Sequence, residues 1–312
     1  MLAEDLHAVP AAIFGVAQSF SGRSWRKMNC DTGMAAQLAR SANISSLLAE
    51  LLISRGVYAG EVEDFLRPTL RKLLPEPLLL TDMYRAIERT RGAIERGEKI
   101  AVFGDYDVDG SCSAALMSEF LTHLGKPPRI YIPDRAAEGY GPNAAAFAKL
   151  KDEGVSLVIT VDCGATASAA MAAARDIGLD VIVLDHHAAE APVPAFAHVN
   201  PNQHGDTSGL NYLCAAGVTF LFVVALNRSL RDTGWYTANG VAEPDLREHL
   251  DLVALATICD VVPIVGINRA FVRFGLSKLS ALSRPGIAAL AAIAGATPPF
   301  TPHHLIHQLF VH

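Results

Sequence analysis

Short apolar runs and alanine-rich stretches alternate through the middle of the chain, from Lys99 to Leu184. Four runs rich in Val and Ile are typical of buried strands, namely KIAVFG, RIYIP, LVITVD and DVIVLD. The stretches between them, residues 113–124, 143–153 and 167–177, have the length and composition of helices. This alternation predicts an α/β fold, with a parallel sheet, helices on both of its faces and right-handed crossovers.

The chain on either side of this region is predicted to be mostly helical. SSLLAELLISRGV and TDMYRAIERTRGAIERGE precede it, and in the second of these Thr81 is the predicted N-cap and Gly97 lies near the predicted end. Further helices are predicted at residues 211–230, 244–257, 269–282 and 287–294. The first forty residues are polar and rich in turn formers, and they carry the weakest structural signal.

These patterns predict three parts of the chain. Residues 1–80 form a partly helical N-terminal extension, residues 81–265 the α/β domain, and residues 266–312 a helical C-terminal segment. With 312 residues, 51% hydrophobic and 19% charged, the chain can bury a large core and is not a disordered protein.

Composition also bears on location. The longest apolar stretch, residues 212–226, has fifteen residues, fewer than the roughly 20 that a membrane-spanning helix needs. The N-terminal MLAEDLHAVP lacks the basic and apolar regions of a signal peptide. We therefore expect a cytoplasmic protein with no membrane partner.

Cysteine usage and net charge narrow the chemistry. Five cysteines without a C-x-x-C pair argue against a disulfide framework and against a thiolate zinc site. Cys112 and Cys163, which lie beside acidic residues, are predicted to be small packing residues rather than nucleophiles. Because the net charge is −6, a nucleic-acid partner would have to be attracted by a local basic surface or by bound metal ions.

The densest acidic cluster lies in AVFGDYDVDGSCSAAL, where Asp105, Asp107 and Asp109 are closed by Gly110. D-x-D-x-D-G is the first half of an EF-hand calcium loop, but position twelve of that loop is Leu116 instead of Glu. An EF-hand loop is also entered from a helix, whereas here a strand precedes it. A calcium loop is therefore disfavoured.

Further acidic and histidine residues follow two other predicted strands. Asp162 follows LVITV, and the triplet of Asp185, His186 and His187 follows VIVL, while Asp260 follows the apolar LVALAT. A single Asp at a strand end is more often a helix N-cap than a ligand, and the histidines alone could be a core pair. Together, however, these residues should converge at the carboxyl edge of one sheet. Carboxylates and imidazoles without thiolates suit Mn²⁺ or Mg²⁺.

These clusters carry a resemblance to a known family. DYDVDGSCSAA, VDCG, DHH and CDVVP stand in the order and context of the four signature motifs of the DHH phosphoesterase superfamily. The sequence between these motifs, including IPDRAAEGYGPN and VNPNQ, is most similar to the RecJ family of bacterial single-strand DNA exonucleases. Phe103 stands where the pyrophosphatase and oligoribonuclease branches have a His, which favours the exonuclease branch. The resemblance covers residues 56–301.

The resemblance implies a metal-dependent phosphodiesterase with two divalent ions, Mn²⁺ or Mg²⁺. Its metal ligands fall on Asp107, Asp109, Asp162, His186 and Asp260. These residues and His187, a neighbour able to contact the phosphate, form the predicted catalytic set. Asp185 is expected to orient an imidazole. Asp105 is expected to lie outside the ligand set, because a tight turn at Gly110 should break the alternation of the three aspartates.

The resemblance further implies single-stranded DNA as the substrate, with 5′ to 3′ polarity and a role in DNA repair and recombination beside other repair proteins. Arg135 and Tyr140 could supply the cation and the aromatic face that such binding needs, although an ordinary surface turn is an alternative. His123, His198, His204 and His249 are predicted to be surface or packing residues.

The end of the chain differs from the family pattern. TPHHLIHQLFVH does not resemble the family continuation into a second domain, which predicts a truncated product. His303, His304, His307 and His312 are not expected to form a metal site. Two hypotheses remain open: an exonuclease fragment that still cleaves DNA, and a catalytically incompetent domain that binds metal or partner proteins.

Overall fold

A computed structural model describes residues 12–26 and 28–309. The chain divides into two compact units, one that ends at Thr69 and one that begins at Leu70. This division differs from the three predicted parts. Residues 70–80 belong with the α/β domain instead of the N-terminal extension, and the residues from 266 onward belong to that same second unit.

The first unit is a small helical one. Its 3₁₀ and α-helices are Ile13–Gly15, α1 (Thr32–Ala42), α2 (Ser46–Ile53) and α3 (Val62–Leu66). Asp31 caps α1 by accepting a hydrogen bond from the Met34 N–H, and Ser45 caps α2 in the same way through the Leu48 N–H. Leu38 and Leu52 are among the residues of its apolar core.

The second unit is built on a five-stranded parallel sheet. Its strands are β1 (Ile100–Gly104), β2 (Arg129–Tyr131), β3 (Leu157–Val161), β4 (Asp180–Leu184) and β5 (Ala197–Val199), in the order β2-β1-β3-β4-β5. The four predicted strands are confirmed. The fifth, β5, was not predicted, because its sequence AHV contains a single β-branched residue.

The helices of the second unit surround this sheet. They are α4 (Leu70–Leu73), α5 (Met83–Arg96), α6 (Val108–His123), α7 (Ala144–Asp152), α8 (Ser168–Asp176), α9 (Ala215–Asp232), α10 (Trp235–Asn239), α11 (Leu250–Cys259), α12 (Gly266–Leu279), α13 (Pro285–Ile293) and α14 (Pro302–His304). Two 3₁₀ turns, Pro77–Leu79 and Leu246–His249, and a π-helical turn at Leu305–Leu309 complete the set.

Both faces of the sheet are covered, as the α/β pattern predicts. Ile100 and Val102 of β1 pack in one core with α5, α6, α9 and α11, whereas Ala101 and Phe103 pack in the opposite core with α7 and α8. Successive strand residues point to opposite faces. The sheet therefore buries both faces, and only its ends are free to carry a site.

Three predicted helix ends are corrected by the structure. Thr81 is not the N-cap of α5; Asp82 is, with φ of +62° and no capping bond, because its carboxylate accepts a hydrogen bond from the distant His198 N–H at 3.0 Å. Gly97 is confirmed as the left-handed C-cap. The helix predicted at 113–124 begins earlier, at Val108, because Asp107 caps it, and the one predicted at 244–257 is a 3₁₀ turn followed by α11.

Across residues 12–26 and 28–309, no helix has both the length and the apolar character that crossing a membrane requires.

Candidate metal centre

Three acidic residues occupy equivalent positions, one residue beyond the carboxyl ends of adjacent strands. The N–H of Asp105 after β1 donates to Val161, that of Asp162 after β3 to Leu184, and that of Asp185 after β4 to Val199, at 3.0–3.3 Å. Strand pairing therefore extends into the acidic residues and lines them up along one edge. This is the edge where open parallel sheets bind ligands.

His186 lies at the centre of the acidic group. Its Nε2 is 3.3 Å from Asp162 Oδ1, 3.7 Å from Asp109 Oδ2 and 3.7 Å from Asp260 Oδ2. Asp260 reaches this place from the C-terminal end of α11. The structure thus brings together side chains from β3, β4, α6 and α11 that are far apart in the sequence.

Three groups of side chains have ligand atoms close enough to hold a metal ion. In each group these atoms lie within 4.8 Å of one another. The groups are Asp109, His186 and Asp260; Asp105, Asp107 and Asp162; and Asp162, His186 and His187. Together they contain all five residues predicted as ligands, and they add His187 and Asp105.

Asp105 belongs to one of these groups, although it was expected to lie outside the ligand set because of a tight turn at Gly110. The structure does not have that turn. Gly110 does not form a tight turn; it lies inside α6, and a Cβ there would come within 2.7–2.8 Å of the Asp105 backbone. Glycine is needed because two stretches of backbone approach closely. The alternation is broken earlier, at Asp107, whose Oδ1 caps α6 by accepting from the Gly110 N–H at 2.9 Å.

Asp162 is the least compensated charge of the group. Its side chain is 1% exposed, and within the part of the chain that the structure describes neither carboxylate oxygen has a hydrogen-bond partner. Its φ of +61° is a left-handed conformation that non-glycine residues rarely adopt. Burial, together with the nearby charges of Asp109 and Asp107, raises the pKa of Asp162 far above its usual range.

Asp109 is held by the start of α9. Its two carboxylate oxygens accept hydrogen bonds from the N–H groups of Ala215 and Ala216, at 2.6 and 2.8 Å. Burial nevertheless raises the pKa of Asp109 to about 6, against the opposing effects of His186 and of these two N–H groups. Burial is also the main cause that raises the pKa of Asp105 and of Asp260.

Asp185 orients an imidazole, as predicted, and that imidazole belongs to His187. Asp185 Oδ1 lies 2.8 Å from His187 Nδ1 and also accepts the N–H groups of His186 and His187, while Oδ2 accepts the Ala165 N–H. Burial alone would raise the pKa of Asp185, but these hydrogen bonds and the His187 charge hold it below its usual value. The same hydrogen bond raises the pKa of His187.

Two asparagines that the sequence analysis did not single out hold the histidine backbone. Asn200 Nδ2 donates to the His187 carbonyl at 2.8 Å, and Asn202 Nδ2 donates to the His186 carbonyl at 2.6 Å. Both belong to VNPNQ, one of the segments on which the family resemblance rests. The resemblance therefore pointed to this segment, but it did not indicate that the two asparagines hold the histidine backbone.

The two predicted substrate residues lie differently with respect to the metal centre. The Tyr140 hydroxyl donates to the Asp162 carbonyl at 3.2 Å, and its ring meets the His187 ring edge-on at 6.2 Å between centroids. Arg135 stacks over Tyr106, with its guanidinium carbon 5.2 Å from the ring centroid. Tyr140 thus contacts a predicted metal ligand directly. Arg135 contacts Tyr106, which lies between Asp105 and Asp107 in the sequence.

The remaining cysteines and histidines have other environments. All five cysteines are free. Cys112 and Cys163 lie in the two apolar cores on opposite faces of the sheet, which confirms that they are packing residues, and burial raises the pKa of both thiols. His198 and His249 are buried, and neither belongs to a possible metal group among the described residues. His303 and His307 lie on an exposed turn, and His312 falls outside the described residues.

This donor set fits divalent cations. Buried carboxylate oxygens of Asp105, Asp162 and Asp260 lack hydrogen-bond partners among the described residues, and an unpaired buried charge is costly unless a cation compensates it. The fit comes from oxygen and imidazole donors, because burial raises the pKa of the neighbouring Cys112 and Cys163 thiols and so disfavours thiolate ligands. Fold and site together define an α/β protein whose sheet carries, at its carboxyl edge, a donor set that could hold divalent metal ions.

Comparison with known proteins gives the family. The family model described as "DHH family, N-terminal domain" matches residues 99–257, about half of the chain. The chain belongs to the DHH family.

Several relatives are single-strand exonucleases. The single-stranded-DNA-specific exonuclease RecJ of Bacillus subtilis (strain 168) is 36% identical over 272 residues, which cover 87% of this chain and 33% of that protein. RecJ of Escherichia coli (strain K12) is 37% identical over 256 residues, covering 81% of this chain and 44% of that protein. The chain therefore spans between a third and a half of the length of these relatives.

Solved structures are also similar. RecJ in complex with Mn²⁺ from Thermus thermophilus superposes with a TM-score of 0.71 and 28% identity, covering 90% of this chain and 38% of that chain. An exonuclease RecJ bound to manganese gives a TM-score of 0.63 and 33% identity, covering 73% and 55%.

Proposed function

We propose that this chain is the catalytic part of a metal-dependent exonuclease that hydrolyses phosphodiester bonds of single-stranded DNA. The observation that carries the proposal is the Asp162 carboxylate, which is buried without a hydrogen-bond partner among the described residues and belongs to two of the three possible metal groups. Membership of the DHH family and the exonuclease names of the relatives support the choice of reaction and substrate.

Two divalent ions, Mn²⁺ or Mg²⁺, complete the proposed site. Asp109, His186 and Asp260 would hold one ion, and Asp105 and Asp107 the other, with Asp162 available to both. When bound, such ions lower the pKa of a water molecule and stabilise the negative charge that develops on a phosphate. A role of Asp162 in holding the ions would account for a buried carboxylate without hydrogen-bond partners among the described residues.

The residues around the ions have their own proposed tasks. His187 is fixed through Nδ1 on Asp185, which leaves its Nε2 to donate a hydrogen bond to a phosphate oxygen. The raised pKa of His187 favours its protonated form, the form that can donate there. The N–H groups of Ala215 and Ala216 keep Asp109 in place.

Single-stranded substrate would be held beside this centre by Tyr140 and Arg135. Tyr140 is 52% exposed, so its ring has a face on which a base can stack while its hydroxyl stays bonded to the Asp162 carbonyl. Arg135 supplies a cation next to Tyr106. A 5′ to 3′ direction, a cytoplasmic role in DNA repair and recombination, and repair-protein partners extend the proposal through the family resemblance.

The direct test uses end-labelled single-stranded DNA, a matched duplex and Mn²⁺. We expect Mn²⁺-dependent release of nucleotides from the single strand, little from the duplex, and none after Asp162→Asn. Asp176→Asn, an exposed aspartate in α8, is the matched control and should cleave like the parent. Mn²⁺ binding without cleavage by the parent would instead support the catalytically incompetent domain.

A further inference from the structure

Residues 12–26 form a short hairpin in the first unit. The Ile13 N–H donates to the Trp25 carbonyl at 2.8 Å, and the Ser19 N–H donates to the Arg23 carbonyl at 2.7 Å. Ala12 and Arg26 form an antiparallel bridge at its open end. Gly22, with φ of +73°, lies in the turn, where a left-handed conformation favours glycine. Backbone hydrogen bonds thus define the hairpin.

The hairpin displays its aromatic side chains to solvent. Phe14 is 96% exposed and Trp25 63% exposed, and Phe20 is fully exposed. Ile13, Phe14, Val16 and Trp25 line an apolar pocket of about 350 Å³. Single exposed apolar residues are ordinary, but a contiguous patch of this kind marks an interaction surface.

The charge of the same segment is opposite to that of the chain. Arg23, Arg26 and Lys27 carry positive charge, and residues 12–30 contain neither Asp nor Glu, although the whole chain has a net charge of −6. The Arg23 side chain is exposed on the hairpin, and Trp25 lies between Arg23 and Arg26 in the sequence. Cations interleaved with exposed aromatic rings fit a polyanion that carries flat bases.

We propose that the hairpin is a second contact for single-stranded nucleic acid. Unpaired bases would stack on Trp25, Phe20 and Phe14, while Arg23 and Arg26 would face the phosphates. An apolar partner protein would account for the aromatic rings but not for a cationic segment in an acidic chain. The inference rests on the proposed function, because it takes the same class of substrate.

Tryptophan fluorescence can test this contact without any cleavage. The chain has two tryptophans, and Trp235 is only 7% exposed, so the Trp235→Phe variant reports on Trp25. Oligothymidylate added in metal-free buffer should quench this emission. The Trp25 variants lack this reporter, so their affinity is measured by the fluorescence anisotropy of dye-labelled oligothymidylate. Stacking on one ring corresponds to about a tenfold change in affinity, so Trp25→Ala should bind about tenfold more weakly and Trp25→Phe should bind like the parent.

Two controls separate stacking from charge and from misfolding. An abasic oligonucleotide of equal length should quench Trp25 far less than oligothymidylate. Tyr58→Ala removes another exposed ring of the first unit, 51% exposed, and should leave the affinity unchanged. Arg23→Gln should reduce the slope of log affinity against log salt by about 0.7, the value for one phosphate contact on a single strand.

Equal quenching by the abasic strand, or parental affinity in Trp25→Ala, would overturn this inference. Failure of the proposed function would give another result, the absence of Mn²⁺-dependent DNA cleavage by the parent chain. Quenching in metal-free buffer reports on the hairpin in either case. A partner-protein surface would be indicated if oligothymidylate left Trp25 emission unchanged.

Discussion

Two groups of acidic side chains in the second unit are compensated in different ways. The first, which we call the strand-end group because its side chains gather at the carboxyl ends of the strands, comprises Asp105, Asp109, Asp162 and Asp260. These carboxylates have raised pKa values, and three of them keep oxygens without hydrogen-bond partners among the described residues. A second group, which we call the arginine network, comprises Glu119, His249, Asp251 and Arg284. Its carboxylates are paired within the protein itself.

The arginine network ties three helices together. Arg284, at the start of α13, bonds Glu119 of α6 and Asp251 of α11, and His249 Nδ1 lies 3.1 Å from Glu119 Oε2. Burial alone would raise the pKa of Glu119, but Arg284 holds it below its usual value. Because α6 and α11 carry Asp109 and Asp260 at their other ends, one pair of helices holds both kinds of acidic group.

The difference indicates which acidic group is built for a ligand. A buried charge must be neutralised by a partner or by protonation. The arginine network is complete without a ligand, and it contributes to stability. The strand-end group is incomplete, so the metal-free protein tolerates an unfavourable site that a divalent cation would relieve.

The largest expected effect comes from Asp162→Asn. Partners that only orient metal ligands already contribute 10–100-fold to affinity, so loss of a shared ligand should weaken Mn²⁺ binding by more than about 100-fold. The metal-free variant should melt at a higher temperature than the parent, because the raised pKa of Asp162 makes folding of the parent take up a proton at a cost that the amide avoids. Calorimetric Mn²⁺ titration and thermal melts measure the two effects; unchanged affinity would refute the comparison.

Arg284→Met should have the opposite effects, a loss of stability without a loss of Mn²⁺ affinity. It leaves Asp251 buried without its cation, and we expect the free energy of unfolding to fall by about 2 kcal/mol, less than for a fully buried pair because Glu119 is partly exposed. Mn²⁺ affinity of the folded variant should stay close to the parental value. The control is Arg247→Met, whose exposed pair with Asp245 should matter little. Urea unfolding with and without Mn²⁺ distinguishes the two arginines.

The two acidic groups should also respond oppositely to pH. A native carboxylate with a raised pKa stabilises the fold below its unfolded pKa, and that stability is lost as pH rises through the native value, which is about 6 for Asp109. Glu119, with a lowered pKa, contributes stability that is lost as pH falls below about 4.

Both pH dependences can be measured by unfolding the metal-free protein at a series of pH values. Each excess proton held by the native state changes the free energy of unfolding by about 1.4 kcal/mol per pH unit. As pH rises from about 4 toward the native pKa of Asp162, about 11, the metal-free parent should lose stability relative to Asp162→Asn, and the stabilisation by Mn²⁺ should grow. A parent and variant with parallel pH curves would show that the strand-end carboxylates are already compensated.

The sequence predicted the sheet and most of the site for a local reason. Strand periodicity is short-range, and residues that follow parallel strands must meet at one edge, so Asp162 and His186 could be placed together in advance. Features that depend on distant backbone could not be predicted. Asp82 replaced Thr81 as the N-cap through its bond to His198, and Ala215 and Ala216 carry no side-chain signal for binding Asp109.

The position of Asp105 in the site also depends on distant backbone and could not be predicted from the local sequence. Its position in a metal group depends on where α6 begins and on the close approach of Gly110 to its backbone. Neither is visible in the alternation of D-Y-D-V-D. The arginine network was missed because its members lie on three separate helices and none of them follows a strand.

The most direct measurement is an anomalous difference map at the manganese edge, from a crystal of this chain grown with Mn²⁺. We predict two peaks about 3.5–4 Å apart, one within coordination distance of Asp109, His186 and Asp260, the other of Asp105 and Asp107, and both beside Asp162. A map with no peak at this edge of the sheet, or with manganese only elsewhere, such as at His303 and His307, would contradict the account.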